Sequence, residues 1–185
     1  ECLAAPPTFS APELEGMVAN YDGDVRMLDR RLGDLLEALR TRGLLDSAHV
    51  VFCADHGEEF LERGEIGHGS SLYGEQIRIP LIIVPPGGLP APAIIEKPVS
   101  IVDIFPTVCS AAGLAPPPGL PGVSLLELME GNCPAPDRGI FVELSRARAA
   151  RQQEAIRRGD WKFVLRGGRG ERRALFDLDR DPGER

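Results

Sequence analysis

The chain is 185 residues long with a mass of 20.0 kDa, enough for one sizeable hydrophobic core or one domain with a smaller appendage. Its 43% hydrophobic and 26% charged residues are those of an ordinary globular protein, and a net charge of −7 argues against a nucleic-acid-binding surface over the whole chain. The longest apolar stretch, residues 79–86, is too short to span a bilayer and is interrupted by prolines, so no transmembrane segment is expected.

The chain begins at Glu1 with no charged and apolar leader behind it, and it stops in Asp181-Pro182-Gly183-Glu184-Arg185. Both ends read as mid-protein sequence, so a fragment is expected. Cys2, Cys53, Cys109 and Cys133 are scattered without C-x-x-C or zinc-type Cys/His spacing, which indicates neither a redox motif nor a structural metal knot and leaves the compartment open. Charge is uneven. Residues 138–173 carry 11 Lys and Arg against 4 Asp and Glu, a local +7 that leaves −14 for the remainder. Such a segment can face an anionic partner, or it can simply form the solvated outer faces of strands.

In chain order, residues 1–12 hold Pro6, Pro7 and Pro12 and read as an extended approach. From Glu13, apolar Leu14, Val18, Tyr21, Val25, Leu28, Leu32, Leu35 and Leu39 recur in four- and three-residue steps, one stripe along a long helix. A coiled coil is the alternative, but the pattern stops at Gly43 and leads into a strand, which favours a helix lying on a sheet. Ala48 to Cys53 is an apolar strand without polar alternation, the mark of a buried parallel sheet. A polar loop follows Gly57, Ser70 or Ser71 can cap a short helix through Ile77, and Leu81 to Val84 is a second strand stopped by Pro85-Pro86-Gly87-Gly88. After a loop over residues 85–98, Asp103 caps a helix from Ile104 to Ala112 that tolerates Pro106 in its first turn, and Leu125 to Met129 is one further turn. From Ile140 the period shifts to short strands around 140–143, 154–157, 161–165 and 174–178, an expected small antiparallel sheet.

The chemistry-bearing residues collect at the end of the first strand. Asp55 and His56 are adjacent, so ligating one ion requires the backbone to leave the strand there, which Gly57 permits. A carboxylate with an imidazole suits Mn²⁺, Zn²⁺ or Fe²⁺ better than Ca²⁺, although Asp-His-Gly can equally be a polar turn. His68 lies between two glycines and is open to close approach; it can protonate a leaving oxygen or hold an oxyanion, or the segment is merely a flexible loop. Glu58 and Glu59 are candidates to orient His56 from behind. Arg78, at a strand entrance, reads as a structural ion pair rather than an anion ligand.

Taken together, these pieces resemble the sulfatase family of the alkaline-phosphatase superfamily. The resemblance rests on Phe52-Cys53-Ala54-Asp55-His56-Gly57-Glu58, Gly67-His68-Gly69, Arg78-Ile79-Pro80-Leu81, Val102-Asp103-Ile104-Phe105-Pro106-Thr107, Gly159-Asp160-Trp161-Lys162 and Leu175-Phe176-Asp177-Leu178 with Asp181-Pro182-Gly183-Glu184. It implies an α/β fold: part of an alkaline-phosphatase-like sandwich with a mixed or parallel sheet and helices over residues 1–133, plus a small antiparallel-sheet subdomain over 134–185. By the same resemblance Asp55 and His56 would be ligands of the active-site divalent metal, with Ca²⁺ or Mn²⁺ expected and Zn²⁺ as alternative. His68 would be the basic residue that contacts the sulfate or bridging oxygen of the substrate.

A histidine at position 56 resembles bacterial sulfatases, phosphonate monoester hydrolases and phosphoglycerol transferases, whereas many sulfatases have Asn there. A small-molecule or glycan sulfate ester is therefore the expected substrate, with a phosphate ester as alternative. The family also places a formylglycine-forming Cys or Ser, or a Thr, near its amino terminus. The nearest approach here, Cys133-Pro134-Ala135-Pro136-Asp137, has Asp137 where the motif needs Arg and is rejected. The chain thus resembles the carboxyl-terminal half of a sulfatase, expected to be inactive alone, and a non-catalytic interaction module is the reading from another class.

Overall fold

Ser10 sets where the first helix begins. In the computed structural model, which describes residues 8–88, 94–130, 137–145, 152–167 and 172–185, helix α1 runs Ala11–Thr41. The Glu13 carboxylate accepts from the Ser10 amide at 2.8 Å and from its hydroxyl at 2.6 Å, and these bonds hold the Glu13 carboxyl below its ordinary range. Pro12 therefore sits in the first helical turn, where its missing N–H costs nothing, and not in an extended approach. At the other end Gly43 takes φ +68°, its amide donating to Arg40 O while that of Leu44 donates to Leu39 O, which closes the helix in a Schellman motif. The expectations that fall on residues 1–7, on 89–93, on Cys133 and on the turn around Gly168–Gly170 lie outside the described residues.

The chain divides into two compact units, Glu1–His68 with Arg78–Pro90, and Gly69–Ile77 with Ala91–Arg185. In the first, strand β1 (Val50–Cys53) pairs antiparallel with β4 (Leu81–Val84) in the register Val50↔Val84 to Cys53↔Leu81. A parallel neighbour was expected from the unbroken apolar run. Such a run reports that both faces seek cover but says nothing of the direction of the neighbouring strand, and among the described residues every ladder is antiparallel. Likewise the apolar stripe of α1 reports which face is apolar and not what covers it. Val18, Tyr21, Val25, Leu28 and Leu35 are exposed, and Tyr21 meets Phe60 edge-on at 5.2 Å. Two short strands, β2 (Glu59–Phe60) and β3 (Ile66–Gly67), complete this unit.

The second unit carries the four-stranded antiparallel sheet: β5 (Ile140–Leu144), β6 (Gln153–Arg158), β7 (Trp161–Arg166) and β8 (Arg172–Asp177), paired in that order. Gly159, at φ +58°, makes the tight turn between β6 and β7. The core of this unit is Leu72, Ala155 and Val164, with Ile77, Val142, Leu144 and Phe176 packed against it. Short helix α2 (Gly74–Ile77) is held ahead of its first turn by Gln76, whose side-chain oxygen accepts from the amides of Ser70 and Ser71 while its nitrogen donates to Ser70 Oγ. The serines thus work through Gln76 and not as a direct cap.

Helices α3 (Ile104–Ala111) and α4 (Leu126–Met129) meet at a buried knot. Asp103 was expected to cap α3. Its fully buried carboxylate instead accepts from the amides of Ser100 and Val123 at 2.8 and 2.9 Å and pairs with the Arg138 guanidinium. Arg138 also donates to Pro121 O at 2.7 Å, and Thr107 Oγ accepts from the amide of Leu125 at 2.9 Å. A charge taken out of water needs hydrogen-bond donors, and this one draws them from three segments, at Ser100, Val123 and Arg138. Gly122 is obligatory beside it, because a Cβ there would lie 2.0 Å from Val102 O. A second buried ion pair, Lys162 with Glu184 at 2.7 Å, links the start of β7 to the chain's last residues.

Candidate metal and substrate site

Asp55 and His56 follow the end of β1, Glu58 leads into β2 and His68 follows β3, and all four belong to the first unit. The His56 ring has its Nδ1 3.0 Å from Gly57 O. A carbonyl oxygen only accepts, so Nδ1 carries the proton and the neutral ring keeps its lone pair on Nε2. That Nε2 lies 3.7 Å from Asp55 Oδ1. Two ligands bonded to one ion at about 2.0–2.2 Å stand roughly 3–4 Å apart, so Asp55 and His56 Nε2 fit a shared divalent cation, and both side chains are accessible to one.

His68 is stacked on His56, ring centroids 3.6 Å apart and planes 27° apart. Its Nδ1 faces Glu58 Oε2 at 3.2 Å. Among the described residues His56, Glu58 and His68 form the one group whose donor atoms all fall within 4.8 Å of each other, with Glu58 in this set and Asp55 outside it. An imidazole lone pair lies in the plane of its ring. Two stacked rings 27° apart therefore hold their lone pairs in nearly parallel planes.

The acidic pair after Gly57 divides differently from expectation. Glu58 turns to His68 and not to His56. Glu59 is fully buried and accepts from the amides of Arg63 and Glu65 at 2.9 and 3.1 Å, bracing a loop in which Leu61 takes φ +71°. Arg78 is exposed and makes no ion pair among the described residues, so the expected structural pair is not formed within them. The pairing of Glu58 with His68 was missed because the β2–β3 ladder is only two residues long on each side, too short to show as a pattern in the sequence.

An α/β unit that brings a carboxylate and imidazoles to a strand end, together with an antiparallel carboxyl-terminal sheet, is the architecture of alkaline-phosphatase-like hydrolases. The phosphonate monoester hydrolase of Agrobacterium radiobacter superposes with a TM-score of 0.81 at 28% identity, over 95% of this chain and 37% of that one. A protein solved in complex with its substrate D-glucosamine-2-N,6-O-disulfate superposes with a TM-score of 0.71 at 28% identity, over 86% of this chain and 33% of that one.

The chain belongs to the sulfatase family, whose model matches residues 3–114, while the model described as N-sulphoglucosamine sulphohydrolase, C-terminal, matches residues 68–185. Arylsulfatase K of Mus musculus is 32% identical over 95% of this chain and 33% of its own length. The chain thus spans about a third of the length of the curated relatives it matches. The family uses a divalent metal ion, and the carboxylate and imidazole donors described above are compatible with one.

Proposed function

We propose that the complete gene product hydrolyses sulfate esters, with Asp55 and His56 as two ligands of a divalent metal ion and His68 as the group that meets the substrate's oxygen. The observation that carries this reading is the similarity to arylsulfatase K over 95% of the chain. The Nδ1–H of His56 on Gly57 O, which leaves Nε2 beside Asp55, is the geometry that supports the ligand pair. When bound there, a divalent cation polarises the ester and lowers the charge that the sulfate presents to an attacking group.

The chain's own residues do the rest. His68, held through Nδ1, has Nε2 left to face an oxygen of the ester, to which it donates a proton or a hydrogen bond in the doubly protonated form of the ring, and its neighbours Gly67 and Gly69 leave that approach open. A glycan sulfate is the substrate class favoured by the similarity to the protein solved with a disulfated glucosamine, and Ca²⁺ or Mn²⁺ is the proposed ion with Zn²⁺ as alternative. Residues 1–133 are proposed as part of the α/β core of the enzyme and 134–185 as its small antiparallel-sheet subdomain, a reading that the ladder of β5 to β8 supports.

A second reading, hydrolysis of a phosphate or phosphonate ester, is favoured by the similarity to phosphonate monoester hydrolase. The two are separated by assaying the complete gene product, supplied with Mn²⁺ or Ca²⁺, on p-nitrophenyl sulfate and on p-nitrophenyl phenylphosphonate. A higher kcat/KM on the sulfate is expected. Preference for the phosphonate establishes the second reading, and inactivity on both refutes the enzyme assignment.

A further inference from the structure

We propose that Glu58 is the positioning residue for His68, fixing the direction in which its Nε2 points. The antiparallel register Glu59↔Gly67 and Phe60↔Ile66 makes Glu58 and His68 the next facing pair beyond the ladder, so backbone pairing brings the two side chains opposite one another. Glu58 Oε2 lies 3.2 Å from His68 Nδ1. Gly67, at φ +92°, completes the arrangement: a Cβ there would stand 3.3 Å from Glu58 Oε1, so the missing side chain lets the carboxylate lie close against the strand.

The half-exposed imidazole is thereby fixed in two directions. Stacking on His56 at 3.6 Å sets the plane of the ring, and the carboxylate, an acceptor only, sets its rotation within that plane by taking the Nδ1–H. The atom left free is Nε2. Glu59 cannot exchange roles with its neighbour, because its carboxylate is buried and occupied by the amides of Arg63 and Glu65. Glu58 has 24% of its side-chain surface exposed against 50% for His68, so its carboxylate is the more sheltered and the imidazole tip the more accessible. Only the consequence for catalysis rests on the hydrolase reading; the orientation itself does not.

The test uses the complete gene product with histidine-selective ¹⁵N labelling, in wild type, Glu58→Ala and Glu58→Gln. Long-range nitrogen–proton spectra should report a hydrogen-bonded Nδ1–H on His68 in wild type, its loss in Glu58→Ala and its return in Glu58→Gln, whose amide oxygen still accepts. With p-nitrophenyl sulfate, Glu58→Ala should lower kcat by about ten- to a hundredfold with little change in KM, the size expected of a misdirected catalytic group. Glu58→Gln should recover most of that, and neither variant should shift the melting temperature.

An unchanged His68 Nδ1 signal in Glu58→Ala overturns the proposal, whatever happens to kcat. So does a lower melting temperature in Glu58→Ala with no rescue by Gln, which would make the contact merely structural. If wild type fails to turn over any sulfate ester while the His68 signal still follows residue 58, the hydrolase reading falls and the positioning role stands.

Discussion

The strand-end site and the buried knot around Asp103 treat their polar groups in opposite ways. Asp103 is sealed from water and saturated by Ser100, Val123 and Arg138. Lys162 and Glu184, only 3% and 5% exposed, are closed on each other in the same manner. At the strand end the imidazoles of His56 and His68 and the carboxylate of Asp55 are all accessible, and in each ring Nδ1 is engaged while Nε2 is left open. Saturated and buried groups hold a fold together, whereas groups bonded at one atom and accessible at another keep the capacity to meet a ligand.

That contrast can be broken most sharply at the Lys162 pair. Glu184→Gln should destabilise the protein by about 3 kcal/mol, because it removes the carboxylate that is hydrogen-bonded to a buried ammonium, and a urea titration measures it. Replacing both partners together, Lys162→Met with Glu184→Leu, should come close to wild type. Equal loss in the single and the double variant would show that the pair is not a closed unit.

Burial holds the Lys162 ammonium below its ordinary pKa of 10.5, with the Glu184 hydrogen bond and charge opposing that shift. The unfolded lysine therefore binds the proton more strongly than the folded one, and this group's contribution to stability rises as pH climbs through the interval just below 10.5. Lys162→Met should flatten that rise in unfolding experiments run between neutral and alkaline pH.

Next in size comes the knot itself. Gly122→Ala forces a Cβ onto Val102 O and should cost about 1–3 kcal/mol, measured by thermal unfolding. At Gly139 a Cβ would meet only the end of the Ile156 side chain, so Gly139→Ala should cost clearly less. The smallest effect is expected on the surface. Arg158 and Asp137 pair at 2.8 Å and the arginine holds the Asp137 carboxyl low, yet both are well exposed, so Arg158→Ala should leave the melting temperature within the scatter of wild type.

How much of this was legible depends on the range of the interaction. Helix α1, strands β1 and β4 and the four-stranded tail follow from period and turn chemistry, as do the stops at Gly43, Gly113 and Gly159, all of which take positive φ. The placement of Asp55 and His56 just past the end of β1 was also visible, since an apolar strand ending in Asp-His-Gly is a local signal. What stayed hidden was pairing across distance. No periodicity announces that Asp103 meets Arg138, that Lys162 meets Glu184, or that Glu58 faces His68 and not the adjacent His56. The direction of the β1 ladder was missed for the same reason, because a run of four apolar residues carries no record of its neighbour.

The central claim, that the end of β1 supplies metal ligands to a sulfate-ester hydrolase, is tested most directly by comparing the complete gene product with its His56→Ala variant, measuring bound divalent metal by mass spectrometry and turnover of p-nitrophenyl sulfate on the same samples. The variant should lose both its metal and its turnover while keeping the wild-type fold, as its circular dichroism spectrum reports. A His56→Ala protein that keeps its metal and its rate would contradict the account.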